Sequence, residues 1–141
     1  MVPGLRCQHE RKQVSERHMR ALISSVLLAL SIGNARAEPF EDGVAAHDRG
    51  DYATALRLWR PMAAQGNAAA QHNLGLMYDN GRGVPQDYIR AHLWWNLAAT
   101  KGDPDSVKNR DVAAGRMTPQ QIAEAQKLAR ECLARNYKNC D

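Results

Sequence analysis

The serine and histidine residues that could act as a nucleophile and its base are few and widely spaced in this chain. Beyond residue 37 there is a single serine, Ser106, and there are three histidines, His47, His72 and His92. A hydrolase serine needs a neighbouring base and often occupies a Gly-x-Ser-x-Gly turn, and that motif does not surround Ser106. The sequence therefore predicts an exposed helix residue at Ser106 and no catalytic residues.

The other polar candidates have structural interpretations. No two of the three histidines are four residues apart, which disfavours a zinc site, and we expect His92 to face solvent. Gly81-Arg82-Gly83 lacks the third glycine and the preceding strand of a phosphate-binding loop, so it predicts a turn. Asp103 and Asp105 fall where a helix dipole would stabilise carboxylates. We expect no metal and no cofactor.

Two cysteines remain beyond residue 37, Cys132 and Cys140. In an oxidising compartment they would form a disulfide that contributes about 2 to 3 kcal/mol. The alternative is a buried, apolar Cys132 and a free thiol at Cys140. Both interpretations are open at the level of sequence.

The N-terminal segment has the three parts of a secretory signal peptide. The largely apolar run of residues 21–32 follows Met19-Arg20 and precedes Ala35-Arg36-Ala37. Its 12 residues fall short of the roughly 20 that cross a bilayer. We therefore predict a signal peptide over residues 1–37, cleavage between Ala37 and Glu38, and a periplasmic or secreted product that meets the membrane only transiently.

Two alternatives concern this segment. Translation could start at Met19, or residues 1–18 could form an unusually long positively charged region before the apolar run. An uncleaved signal would instead act as a membrane tether.

The basic charge of the chain belongs mostly to this N-terminal segment. Residues 1–37 hold 6 of the 19 lysines and arginines and 2 of the 15 acidic residues, which leaves 13 of each beyond it. A chain with balanced charge lacks the basic patch of a nucleic-acid-binding protein. We therefore expect a protein or peptide partner and no nucleic acid.

The remaining sequence contains an internal repeat. Residues 51–59 and 87–95 share Asp, Tyr, Ala and Trp at an offset of 36 residues, and a degenerate third copy follows at an offset of 34. Apolar residues recur at helical spacing in each copy, and no segment alternates with period two. The residues expected in the repeat core are Tyr52, Ala55, Trp59, Leu74, Gly75, Tyr78, Tyr88, Ala91 and Trp95.

Glycines and capping residues mark the helix ends. Gly50, Gly66 and Gly102 are each followed by an N-cap residue, and Thr118-Pro119-Gln120-Gln121 is a capping box. Partner helices are predicted over residues 40–49, 68–80 and 104–114. The predicted fold is all-α, a solenoid of about three antiparallel helix pairs, with a truncated first helix in residues 38–50, repeats over residues 51–136 and a tail over residues 137–141.

The stretch from Ala70 to Gly102 resembles the Sel-1-like repeat, a relative of the tetratricopeptide repeat built from helical hairpins. Residues 73–78 (NLGLMY) and 81–88 (GRGVPQDY), followed by Ala91 and Trp94-Trp95, are similar to the family pattern almost position by position. The resemblance implies a scaffold for protein partners without chemistry of its own. A cysteine-rich subgroup linked to β-lactam binding or hydrolysis supplies an alternative, a cell-wall-acting enzyme or accessory protein, although its cysteine pair in every repeat is missing here.

The first helix of each pair would line a concave groove in such a solenoid. We expect this groove to hold an extended peptide or partner tail, whose acidic groups or C-terminal carboxylate meet a basic end formed by Lys108 and Arg116. The alternative is an ordinary solvated face. The predicted groove residues are His72, Asn73, Leu76, Asn80, Lys108, Asn109, Val112 and Arg116.

Overall fold

The computed structural model describes residues 39–140, and these form helices without any strand. The predicted signal peptide, residues 1–37, lies outside the described residues. The helices are α1 (Pro39–Asp48), α2 (Tyr52–Ala63), α3 (Ala68–Asn80), α4 (Tyr88–Ala99), α5 (Pro104–Ala114) and α6 (Pro119–Ala134). The predicted bounds of α3 and α5 are confirmed, and α1 differs from its prediction by one residue at each end. No helix in residues 39–140 is both long enough and apolar enough to cross a membrane.

Local side-chain capping determines where the helices begin. The carboxylate or amide oxygen of Asp51, Asn67, Asp87 and Asp103 accepts a hydrogen bond from the backbone N–H three residues on, at 2.9 to 3.2 Å. Thr118 forms the predicted reciprocal capping box with Gln121. These bonds satisfy N–H groups that a helix leaves unpaired in its first turn.

Two antiparallel hairpins, α1 with α2 and α3 with α4, are built around the same contact. The Trp59 indole N–H donates to the Phe40 carbonyl at 3.3 Å, and the Trp95 indole N–H donates to the His72 carbonyl at 3.2 Å. A glycine lies three residues after each acceptor, Gly43 in α1 and Gly75 in α3, and the indole packs directly on it. Each hairpin therefore joins its helices by a tryptophan on a glycine, an arrangement we call the indole seat.

Helix α4 occupies the centre of the described residues. It packs against α3, α5 and α6, while α6 packs chiefly against α4 rather than against its sequence neighbour α5. The third pair has no indole seat, since Asp111 and Ala129 stand where the earlier hairpins have glycine and tryptophan. The predicted degenerate third copy therefore differs from the others in packing as well as in sequence.

The core follows the repeat pattern with two exceptions. Of the residues predicted for it, Ala55, Trp59, Leu74, Gly75, Tyr78, Ala91 and Trp95 are buried. Tyr52 and Tyr88 are only half-buried, since each begins its helix and carries an arginine over its ring. Pro61 lies inside α2, which ends two residues later at Ala63.

Candidate functional site

The predicted groove residues of α3 occupy one side of that helix. Asn73 and Leu76 are half-buried and Asn80 is exposed, on the side away from the buried Leu74 and Tyr78. The Asn80 side-chain amide donates to the Leu76 carbonyl of its own helix at 2.8 Å. This side of α3 therefore offers an apolar side chain surrounded by amide groups.

The counterparts on α5 extend this surface. Lys108 is exposed and Asn109 half-buried, and Val112 is 52% exposed, an unusual position for a large apolar side chain in a folded protein. Val112 is 36 residues after Leu76, so the repeat places an accessible apolar residue at the same point of both helices. The two form the apolar part of an otherwise polar surface.

Two polar cross-links join α3 to α5. At the helix starts, His72 Nδ1 lies 2.8 Å from Ser106 Oγ and 3.1 Å from Asp103 Oδ2. At the helix ends, the Arg116 guanidinium lies 3.4 Å from the Asp79 carboxylate and over the ring of Tyr88. One cross-link joins the starts of the two helices and the other joins their ends. Helices α3 and α5 therefore run side by side in the same direction. The two helices contact each other less than each contacts α4.

The three side chains at the first cross-link do not form a catalytic triad. In a triad the carboxylate and the hydroxyl bind opposite ring nitrogens, so that the second nitrogen can take the serine proton. Here both Asp103 and Ser106 contact Nδ1 of His72. Ser106 is also fully buried, which corrects the prediction of an exposed residue. This arrangement is structural and offers no substrate access to the hydroxyl.

The carboxylate of Asp103 is stabilised in its charged form. Partial burial alone would raise its pKa, but hydrogen bonds from the Ser106 hydroxyl and backbone N–H, together with His72, hold the pKa below its ordinary value of 3.8. Asp103 therefore caps α5 and joins it to α3 at the same time. The sequence indicated Asp103 as an N-cap residue. It did not indicate the contact with His72, because the two residues are 31 positions apart.

His92 lies in the interior, and the prediction that it faces solvent is wrong. It is 3% exposed within α4, and its Nδ1 has no hydrogen-bond partner among the described residues. Burial, with the positive charge of Arg110, lowers its pKa below 6.5. The physical reason for the error is the position of α4, which is covered on three sides by other helices, so that few of its positions reach water.

The C-terminal segment was predicted as a tail outside the repeats, yet it packs on them. Cys132 of α6 and Cys140 form a disulfide with Cα atoms 5.3 Å apart. Between them, the Tyr137 ring packs against Gly66 and beneath the Lys101 ammonium, whose Nζ is 5.3 Å from the ring centroid. Depressions of about 270 to 400 Å³ lie around this segment and around the 84–90 region, at residues that were not among the predicted groove residues.

Among residues 39–140 no group of three or more histidine, cysteine or acidic side chains is arranged to hold a metal ion. The hydrogen bonds of His72, Asn80, Asp103 and Ser106 are made within the protein, whereas His92 Nδ1 has no partner among the described residues. The described surface carries hydrogen-bonding, charged and apolar groups.

Comparison with known proteins agrees with the repeat pattern. Residues 40–67 and 68–103 each match the family model described as Sel1 repeat. The first match begins at the start of α1, so this helix belongs to the first repeat together with α2. No curated protein and no solved structure matches the chain. Residues 40–103 are therefore two Sel-1-like repeats, and these coincide with the two hairpins joined by an indole seat.

Proposed function

We propose that this protein is an exported scaffold that binds a peptide segment of a partner protein in the cleft between α3 and α5. Sel1 repeats form helical scaffolds for protein interaction. The observation that carries the proposal is the pair of cross-links, His72 with Asp103 and Ser106, and Arg116 with Asp79. They join two parallel helices whose predicted groove residues include the exposed Asn80, Lys108 and Val112.

The chemistry of the cleft favours an extended peptide with an apolar side chain and an acidic group. Leu76 and Val112 offer apolar contact, Asn73 and Asn109 offer amides for the peptide backbone, and Lys108 offers an exposed ammonium. Arg116 is already engaged with Asp79, so Lys108 is the cation of this surface that we assign to the ligand. Of the two residues predicted to form the basic end of the groove, only Lys108 is assigned to the ligand.

Export is supported by the sequence of residues 1–37 and by the cysteine pair. A disulfide between Cys132 and Cys140 is stable in the periplasm or outside the cell, where thiols are not kept reduced. Edman sequencing of the protein isolated from an envelope fraction is expected to begin at Glu38. An intact N-terminus in the membrane fraction would instead indicate a tether and would contradict cleavage.

Partner capture tests the cleft. Purified residues 38–141 would be immobilised, incubated with envelope extract, and the captured protein identified by mass spectrometry and re-measured in pure form. We expect Asn73→Ala, Lys108→Ala and Val112→Ser together to weaken that binding at least tenfold, because hydrogen bonds to charged groups and buried apolar contacts each contribute about 1 kcal/mol or more.

A matched control lies on α6, where Gln126→Ala, Lys127→Ala and Leu133→Ser remove an amide, an ammonium and an apolar group that are all exposed. This control variant should bind as the unmodified protein does. Equal binding by the cleft variant and the unmodified protein would contradict the proposed site.

A further inference from the structure

The segment that follows α6 is tied back to that helix by the disulfide. Cys132 lies within α6 and Cys140 follows eight residues later, so the bond closes a short covalent ring. Residues 136–140, which we call the strap, form the part of the ring beyond the helix. One end of the strap is therefore fixed by α6 and the other by the disulfide.

The strap contacts two turns of the repeats. The Tyr137 ring packs against Gly66, in the turn between α2 and α3, and beneath the ammonium of Lys101, in the turn between α4 and α5. A Cβ atom on Gly66 would lie 3.1 Å from the ring, whereas one on Gly50, between α1 and α2, would have no atom of residues 39–140 within 4 Å. A movement of the strap would therefore affect the later two turns and not the first.

The strap backbone has positive φ angles for two different reasons. The φ of Asn136 is 51°, and it belongs to the end of α6, where the N–H groups of Asn136 and Tyr137 donate to carbonyls of the last turn at 3.0 and 2.9 Å. Tyr137 and Asn139, with φ angles of 62° and 54°, lie beyond this cap. A bulky residue such as tyrosine keeps a left-handed conformation only where its surroundings enforce it. The closed ring and the contacts of the Tyr137 ring supply that constraint.

The two cysteines of the disulfide differ in access. Cys132 is fully buried, whereas Cys140 is half-buried and lines two surface depressions of about 270 and 400 Å³. Cys132 lines neither of them. The rate at which a thiolate attacks a disulfide depends on which sulfur it can reach. Cys140 Sγ is therefore the sulfur available to an external thiol.

We propose that Cys140 is a site of thiol–disulfide exchange, at which a dithiol opens the ring and releases the strap from the turns after α2 and α4. A thiolate of the dithiol bonds to Cys140 Sγ, the bond between Cys140 and Cys132 breaks, and its electron pair leaves with the Cys132 sulfur, which takes a proton from water. The second thiol of the reagent then displaces Cys140 as a free thiol. The reagent becomes a disulfide, and the protein gains two electrons and two protons. This chemistry is independent of the proposed peptide site on α3 and α5.

Opening of the ring relieves the constraint on the strap backbone. Residues beyond the α6 cap can then return to negative φ angles, which residues other than glycine prefer. Strained disulfides are more readily reduced than relaxed ones. The equilibrium of reduction should therefore depend on how well the residue at position 139 tolerates the left-handed region.

The first test compares Asn139→Ala with Asn139→Gly. Both changes remove the same exposed amide, but only glycine adopts the left-handed region without penalty. Cys7→Ser in all proteins leaves Cys132 and Cys140 as the two cysteines. Each oxidised protein is equilibrated with reduced and oxidised dithiothreitol, and the open fraction is measured by alkylation and mass spectrometry. We expect an equilibrium constant for reduction about fivefold larger for the alanine variant. Equal constants would overturn the proposal.

The matched control is the same pair of changes at Asn136. This residue is also an exposed asparagine with a positive φ, but its conformation belongs to the α6 cap, which remains after the ring opens. The two Asn136 variants should differ by less than about twofold in the same equilibrium. Circular dichroism verifies that all four variants are folded. A fivefold difference at both positions would show that the end of α6 unravels with the bond, and release of the strap alone would be wrong.

The attacked sulfur is identified with glutathione, a monothiol that stops at the mixed disulfide. After brief exposure, an acid quench and alkylation, peptide mapping should find glutathione on Cys140 and the alkyl group on Cys132. The reverse assignment would contradict the role of Cys140.

Release of the strap is measured by NMR of the isotope-labelled protein before and after dithiothreitol. The backbone amide signals of Gly66 and Lys101 should shift, because the Tyr137 ring leaves both turns, while the signal of Gly50 stays in place. Unchanged Gly66 and Lys101 signals in the fully reduced protein would show that the strap is held without the disulfide and would overturn the proposal.

Discussion

The two indole-seat hairpins and the C-terminal pair are built from related sequence by different means. In residues 40–103 each hairpin is joined by a tryptophan that packs on a glycine and donates to a backbone carbonyl. In residues 104–140 neither partner of that contact is present, and α6 packs on α4 while a disulfide and the Tyr137 ring hold the following tail. A repeat can thus lose its internal contact when a covalent link and its neighbours replace it.

The family comparison follows the same division. The Sel1 matches end at residue 103, just where the indole seats end. The C-terminal pair nevertheless supplies α5, which carries half of the residues of the proposed binding surface. The divergent part of the chain therefore supplies Lys108 and Val112, the exposed cation and an exposed apolar residue of the proposed binding surface.

The strongest test of the indole seat is a methyl group on its glycine. A Cβ atom at Gly75 would lie 2.6 Å from Trp95 Cδ1, and one at Gly43 would lie 2.8 Å from Trp59 Cδ1. We expect Gly75→Ala and Gly43→Ala each to lower the free energy of unfolding by about 2 to 3 kcal/mol, because a buried indole cannot move aside. Urea unfolding measures the loss.

Gly115→Ala is the matched control in the C-terminal pair. Its Cβ would meet only the Val112 carbonyl, at 3.3 Å, and its φ of −64° suits alanine. Its free energy of unfolding should change by no more than about 0.5 kcal/mol. Comparable losses at Gly75 and Gly115 would show that the two regions do not differ in this way.

Removal of the disulfide should affect the C-terminal pair more than the hairpins. Cys132→Ala with Cys140→Ala is expected to cost about 2 kcal/mol, since the bond closes a short loop. Hydrogen exchange should become faster in α6 and the tail, while protection of α3 and α4 is retained. Uniform loss of protection throughout residues 39–140 would contradict the division into two regions.

The cross-link at the junction of the two regions should be sensitive to acid. Because the pKa of Asp103 is lowered in the folded protein, its contribution to stability is present above about pH 4 and is lost as pH falls through the folded value. Asp103→Asn keeps an N-cap but removes the charge. We expect this variant to be about 1 kcal/mol less stable at pH 7, with a flatter loss of stability in acid, as measured by urea unfolding at several pH values. An unchanged slope below pH 4 would rule out the role of Asp103.

The smallest effect is expected at His92, inside α4. The pKa of His92 is lowered, so the folded protein favours the neutral ring. The contribution of the neutral His92 ring to stability is complete above pH 6.5 and declines as pH falls below that value. NMR titration of the ring should show a midpoint below 6.5, and His92→Gln should remove part of the pH dependence. A midpoint above 6.5 would contradict burial as its main cause.

Local sequence determined the helices of this protein. Residues such as Asp51, Asn67 and Thr118 cap the helix that directly follows them, and the period of the apolar residues shows which side is buried, so these features need only neighbouring positions. The repeat offset likewise identified Trp59 and Trp95 as core residues.

Only the tertiary structure decided which distant side chains meet. His72 pairs with Asp103 and Ser106 more than 30 residues away, His92 is buried because α4 is covered by three helices, and Tyr137 reaches Gly66 across the fold. These contacts depend on how the helix pairs stack and on where the tail returns. The sequence pattern reports the apolar side of each helix, but it does not report which element covers that side.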